Sequence, residues 1–84
     1  MPYYVYIIQS ELDGSYYTGS TQDLSERIER HNQGRSKYTK AKRPWKLVYS
    51  EEHNDRSAAV NRESALKRRK SRDYIDKLVR TSRM

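Results

Sequence analysis

The dipeptide Asp13-Gly14 stands between two short runs rich in aromatic and β-branched residues. Tyr3 to Ser10 reads as one strand and Ser15 to Gly19 as its return, so the chain begins with a hairpin. Side chains alternate faces along a strand, and directly paired residues share a face. With Glu11 to Gly14 as the loop, Ser10 pairs with Ser15 and Ile8 with Tyr17. Tyr6 then lies diagonal to Tyr17 on one face, within reach of an aromatic ring. Any even-length loop preserves this arrangement, whereas an odd-length loop or a bulge breaks it. The competing reading is that both tyrosines simply pack, in a chain that has eight of them.

The remaining elements follow from periodicity and caps. Thr21 and Asp23 are both candidate N-caps for a helix from about Leu24 to Asn32, with Leu24, Ile28 and His31 on one face. Asn32 to Gly34 ends it. Residues 35 to 45 form a basic loop closed by Pro44. Lys46 to His53 alternates weakly and reads as a third strand. Asp55 can cap a second helix running to about Lys70. Ser71 can cap a third, whose apolar stripe is Tyr74, Ile75, Leu78 and Val79. The expected fold is α+β, in the order β-β-α-β-α-α: a three-stranded, mainly antiparallel sheet flanked by helices. At 84 residues the chain is expected to be one domain spanning 1–84, with neither repeat nor linker.

Charge narrows the function. Lysine and arginine number 18 against 11 acids. From Arg30 to Lys46 there are seven basic residues and no acid: Arg30, Arg35, Lys37, Lys40, Lys42, Arg43 and Lys46, with Tyr38 and Trp45 among them. A second cluster comprises Lys67, Arg68, Arg69, Lys70 and Arg72. Clustered cations interleaved with aromatics suit a polyanion whose bases can stack. The plain alternative is a solubilising surface. The absence of cysteine excludes a disulfide scaffold and a thiolate metal site. The longest apolar run, Val5 to Ile8, is too short to span a bilayer, and the N-terminus lacks the layout of a secretory signal. No membrane association is expected, and the chain reads as cytoplasmic.

Three further residues complete a candidate site. Arg27 and His31 are helix neighbours at (i, i+4), held at the edge of the stripe that Leu24 and Ile28 anchor. A fork-shaped, permanently charged donor there suits a phosphate oxygen. Each has a structural alternative: an ion pair of Arg27 with Asp23, and a favourable place for His31 at the C-terminal end of the helix dipole. Glu63 borders the apolar face of its helix, between Ala59 and Leu66. A partly desolvated carboxylate needs a partner. That partner is either a divalent metal, since Mg²⁺ often takes only one or two protein carboxylates, or Lys67 at (i, i+4), an ion pair worth roughly 0.2–0.5 kcal/mol.

In order and spacing these residues resemble the GIY-YIG nuclease family, and the likeness covers nearly the whole chain. Tyr4-Val5-Tyr6 matches the first motif and Tyr17-Thr18-Gly19 the second. Arg27, His31 and Glu63 fall where the family places its arginine, a frequent histidine and its metal-binding glutamate. The stretch from Lys46-Leu47-Val48-Tyr49 through Arg62-Glu63 to Leu66-Lys67-Arg68 looks like the family's small stand-alone bacterial branch. Tyr4 stands where the family name has glycine, and Thr18 where it has isoleucine. Ser20 and Thr21 fall where some members carry a lysine. The resemblance implies hydrolysis of nucleic-acid phosphodiesters at one Mg²⁺ or Mn²⁺ held by Glu63. Arg27 would neutralise phosphate charge, Tyr17 would position or deprotonate water, Tyr6 would bond within that network or share the base role, and His31 would relay a proton or contact phosphate. Arg35, Lys37, Lys40, Lys42 and Arg43 are the expected nucleic-acid contacts. DNA is favoured over RNA, with low sequence specificity and a role in repair or turnover. Specificity would come from a homodimer or from a protein partner. The rival expectation is a catalytically silent nucleic-acid-binding module.

Overall fold

A computed structural model describes residues 2–69 and 72–82. Its elements are β1 (Tyr3–Ser10), β2 (Tyr16–Thr21), α1 (Leu24–Asn32), β3 (Trp45–His53), α2 (Arg56–Arg69) and α3 (Arg72–Ser82), with a single 3-10 turn at Lys40–Lys42. This is the expected α+β order. Lys70 and Ser71, read as the end of the second helix and the cap of the third, lie outside the described residues.

The sheet order is β2-β1-β3, and both pairings are antiparallel. The hairpin register is the one the even-length loop requires: Ile8 faces Tyr17, and Ser10 N–H donates to Ser15 O at 2.8 Å. Gly14 turns the chain with φ of +78°, a conformation that suits a residue without Cβ. β2 starts one residue later than expected and runs two further, because Ser20 and Thr21 still pair with Val5 and Tyr4.

Central β1 has helices on both faces, which explains its continuous apolar run rather than an alternating one. Tyr6, Ile8 and Trp45 form one core cluster, joined by Tyr17 and by Leu24 and Ile28 of α1. On the other face Val5 packs with Ala59 and Leu66 of α2, and Ile7 with Val48 and Val79. The stripe expected on α3 packs there: Val79 is buried, and Tyr74, Ile75 and Leu78, partly buried, lie against these clusters.

β3 begins at Trp45 rather than Lys46 and carries an irregularity opposite Ile7 and Ile8. Ile7 pairs with Tyr49 but Ile8 with Leu47, so Val48 is the extra residue. A bulge reverses the parity of side chains beyond it. Trp45 thereby joins the α1 face, while Tyr49 joins the α3 face. The weak alternation of this strand in the sequence has that physical cause.

Of the two cap candidates, Asp23 caps α1, its carboxylate accepting from Glu26 N–H at 3.1 Å. Thr21 instead accepts from Asp23 N–H and closes the strand-to-helix turn. Asp55 caps α2 through Ala58 N–H at 2.9 Å. No described helix is long and apolar enough to cross a membrane.

Candidate active site

Tyr6 sits on the central strand opposite Gly19 of the edge strand. Its ring lies against Gly19 so closely that an added Cβ would come within 2.5 Å of Tyr6 Oη. The glycine therefore opens the space the phenol occupies. Tyr6 is 1% exposed, and its Oη bonds His31 Nε2 at 2.9 Å. His31, 2% exposed, uses its other ring nitrogen, Nδ1, on Thr39 Oγ1 at 2.8 Å. Neutral imidazole offers one donor and one acceptor, and either hydroxyl can supply the complement. Burial, and then the charges of Arg27 and Arg30, hold the His31 pKa below its ordinary value. Burial, followed by neighbouring Tyr17, pushes Tyr6 up to about 12, although Arg27 pulls the other way. Both groups stay neutral at ordinary pH.

Tyr17, expected on the same face, is there. It is half-buried, its ring edge-on to His31 with centroids 5.2 Å apart and 6.5 Å from that of Trp45. The Lys67 ammonium lies 5.6 Å from the centre of the Tyr17 ring. Glu63 reaches the same edge of the sheet from α2. Its Oε1 accepts from Ser20 Oγ at 2.6 Å, and its Oε2 pairs with Lys67 Nζ at 2.7 Å. The ion-pair alternative for Glu63 is thus formed.

Arg27 is half-buried on α1, near enough to Tyr6 to favour its phenolate. Its Nε is buried and has no hydrogen-bond partner. Asp23, its alternative partner, is occupied in capping the helix. An unsatisfied buried donor of this kind costs about 1–3 kcal/mol unless a ligand completes it.

Among the described residues no group of three or more His, Cys, Asp or Glu could cage a metal. Glu63 could offer only a single hard-oxygen ligand. That donor set fits Mg²⁺ or Mn²⁺ sharing its shell with water and a substrate phosphate, and does not fit an all-protein site.

The expected nucleic-acid contacts lie on the loop between α1 and β3. All five are exposed, and Arg35 donates to Gln33 Oε1 at 3.2 Å. Lys42 pairs with Asp13 at 3.4 Å, and Arg43 donates to Lys40 O at 2.9 Å while its guanidinium covers Gly34. Tyr38 is 78% exposed, with the Lys37 ammonium 5.7 Å from its ring centre. Trp45 corrects the reading that paired it with Tyr38 as a base-stacking aromatic. It is 5% exposed, its Nε1 donates to Thr39 O at 2.8 Å, and its backbone N–H and C=O both bond the Asn32 side chain. In the second basic cluster, Arg69 covers Tyr74 and Arg72 covers Tyr16, while Lys70 lies outside the described residues.

Gly19, Ser20, Thr39 and Lys67 complete the site without having been read as its members. The register that aligns Gly19 with Tyr6 signals the first. Lys67 is signalled only by its (i, i+4) spacing from Glu63. Nothing local signals Thr39, which meets His31 through the path of the loop.

The GIY-YIG catalytic-domain family model matches residues 2–76. UPF0213 proteins from Staphylococcus aureus strains Mu3 and N315 are each 46% identical over 66 residues, covering 77% of this chain and 79% of theirs. The solution NMR structure of the UPF0213 protein from Bacillus halodurans superposes with a TM-score of 0.60 at 36% identity, covering 96% of this chain and 85% of that one.

Proposed function

Because the chain belongs to the GIY-YIG catalytic-domain family, we propose that it is a nuclease hydrolysing phosphodiesters of nucleic acid, with DNA favoured over RNA. The observation that carries this reading is that Tyr17, Arg27 and Glu63 all lie near enough to Tyr6 to act on it, around a buried Tyr6–His31–Thr39 chain.

In this reading Tyr17 Oη orients the attacking water and, as phenolate, takes its proton to become the phenol. Tyr6 is less suited to that task, being buried, bonded to His31 and pushed up to about 12. Tyr6 and His31 act instead as a rigid neutral support for the Tyr17 ring. Neither His31 nitrogen is free to meet phosphate, since Tyr6 and Thr39 occupy both. The Arg27 guanidinium, held beside Tyr6, neutralises the non-bridging phosphate oxygens, where charge grows in the transition state. Glu63 would hold one Mg²⁺ or Mn²⁺. When bound, that ion supplies Lewis-acid polarisation of the phosphate and stabilises the leaving oxygen. Arg35, Lys37 and Lys40 track the backbone of the substrate, and Tyr38 offers a ring face for stacking. Cutting both strands of a duplex would need two copies of a site this small, whether in a homodimer or by successive binding.

The test is cleavage of labelled single-stranded DNA, duplex DNA, branched DNA and RNA in Mg²⁺, Mn²⁺ or EDTA. Wild type and Glu63→Ala are run in parallel. Metal-dependent cutting that disappears in Glu63→Ala is the expected result. The second reading, a catalytically silent binding module, is favoured by the occupation of both Glu63 oxygens within the protein. Salt-sensitive binding without cutting in any metal would establish it in place of the first.

A further inference from the structure

Lys67 is placed where a fixed surface ion pair has no need to be. Glu63, whose side chain is 19% exposed, has both oxygens occupied, one by a neutral hydroxyl and one by the Lys67 ammonium. The Ser20 hydroxyl can remain while a cation binds the other oxygen. Lys67 cannot, because a divalent ion and an ammonium compete for the same lone pairs and repel each other. The lysine is also free to leave. Its side chain is 50% exposed on a flexible stem, and its ammonium already lies 5.6 Å from the centre of the Tyr17 ring. Two other cations of α2 are committed elsewhere, Arg62 to Glu51 at 2.7 Å and Arg69 to the face of Tyr74.

Resting on the nuclease reading, we infer that Lys67 is a built-in counter-ion that holds Glu63 until a divalent cation displaces it, and that the released ammonium becomes a second phosphate contact beside Tyr17, opposite in origin to Arg27. The Glu63 charge is thereby balanced before the metal arrives, and the incoming phosphate meets one charge from α1 and one from α2.

The experiment is a Mn²⁺ titration of the full chain without nucleic acid, read by electron paramagnetic resonance of the free ion. Wild type, Lys67→Met, Lys67→Arg and Glu63→Gln are compared, followed by cleavage kinetics of the same proteins. Lys67→Met is expected to bind Mn²⁺ about twofold more tightly, the fold-change that follows from removing one (i, i+4) ion-pair competitor. Its kcat should nevertheless fall, with Lys67→Arg restoring both values toward wild type. Equal, Glu63-dependent affinities in wild type and Lys67→Met overturn the inference and leave the nuclease reading standing. Tighter binding with undiminished kcat overturns the phosphate contact. Absence of Glu63-dependent binding in every protein overturns both the inference and the metal reading on which it rests.

Discussion

Gly19 owes its identity to a neighbour and not to its own backbone. Its φ is outside the left-handed region, yet a Cβ there would strike both Oη and Cζ of Tyr6, at 2.5 and 2.7 Å. Because Tyr6 is bonded to buried His31, the ring cannot swing aside cheaply. Gly19→Ala should therefore destabilise the fold by about 1–3 kcal/mol, the usual cost of overpacking, measurable by urea denaturation. Tyr17→Phe removes only a hydroxyl from a half-buried ring. Its melting transition should stay at the wild-type value while cleavage falls about a hundredfold or more, as loss of a proton-transfer group predicts. A near-wild-type rate in that variant would take Tyr17 out of the mechanism. The Tyr6–Tyr17 face was legible from alternation and loop parity alone. The neutrality of Tyr6 was not, since it depends on how deeply α1 buries the ring.

The loop between α1 and β3 is a scaffold as much as a charged surface. Thr39 anchors it from the inside, bonding His31 with its hydroxyl and Trp45 with its carbonyl. Thr39→Val keeps the shape but strands His31 Nδ1, which should cost about 1–3 kcal/mol in stability and weaken nucleic-acid binding together. A variant of unchanged stability would show that the hydroxyl does not anchor the loop. On the outer face, replacing Arg35, Lys37 and Lys40 with Ala should weaken binding and make the log–log salt slope shallower by about 2–3, near 0.9 for each phosphate no longer neutralised. An unchanged slope would place the loop outside the interface. The basic run was plain in the sequence. The surface partners of those cations were not: Lys42 pairs with Asp13, Arg43 bonds the loop's own backbone and Arg35 bonds Gln33. Trp45 followed the same pattern, and the bulge at Val48 turned it inward.

Stability of the molecule should be bounded on both sides by buried and half-buried neutral groups. The folded pKa of His31 is depressed, so its contribution is present above the unfolded value and is lost as pH falls below about 6.5. Tyr6 and Tyr49 are both pushed up to about 12, Tyr6 chiefly by burial and Tyr49 by burial and then by Glu51. Their contribution is complete below the unfolded value of about 10 and declines as pH rises toward 12. Urea denaturation across this range should show both declines, with the alkaline slope shallower in Tyr6→Phe and in Tyr49→Phe. An alkaline slope identical in all three proteins would contradict the assignment. Strand periodicity, turn dipeptides and cap residues were enough to specify the element order, the hairpin register and the tyrosine face, because those properties depend on neighbours along the chain and on one pairing across a short turn. Motif order likewise singled out Tyr6, Tyr17 and His31, which the fold packs together. Burial, and hence protonation, depended on contacts between distant segments: α1 closing over Tyr6, the loop delivering Thr39 to His31, and α2 bringing Lys67 and Glu63 beside Ser20 and Tyr17. Desolvation and hydrogen-bond completion are set by those three-dimensional neighbours, and only the tertiary structure decided them.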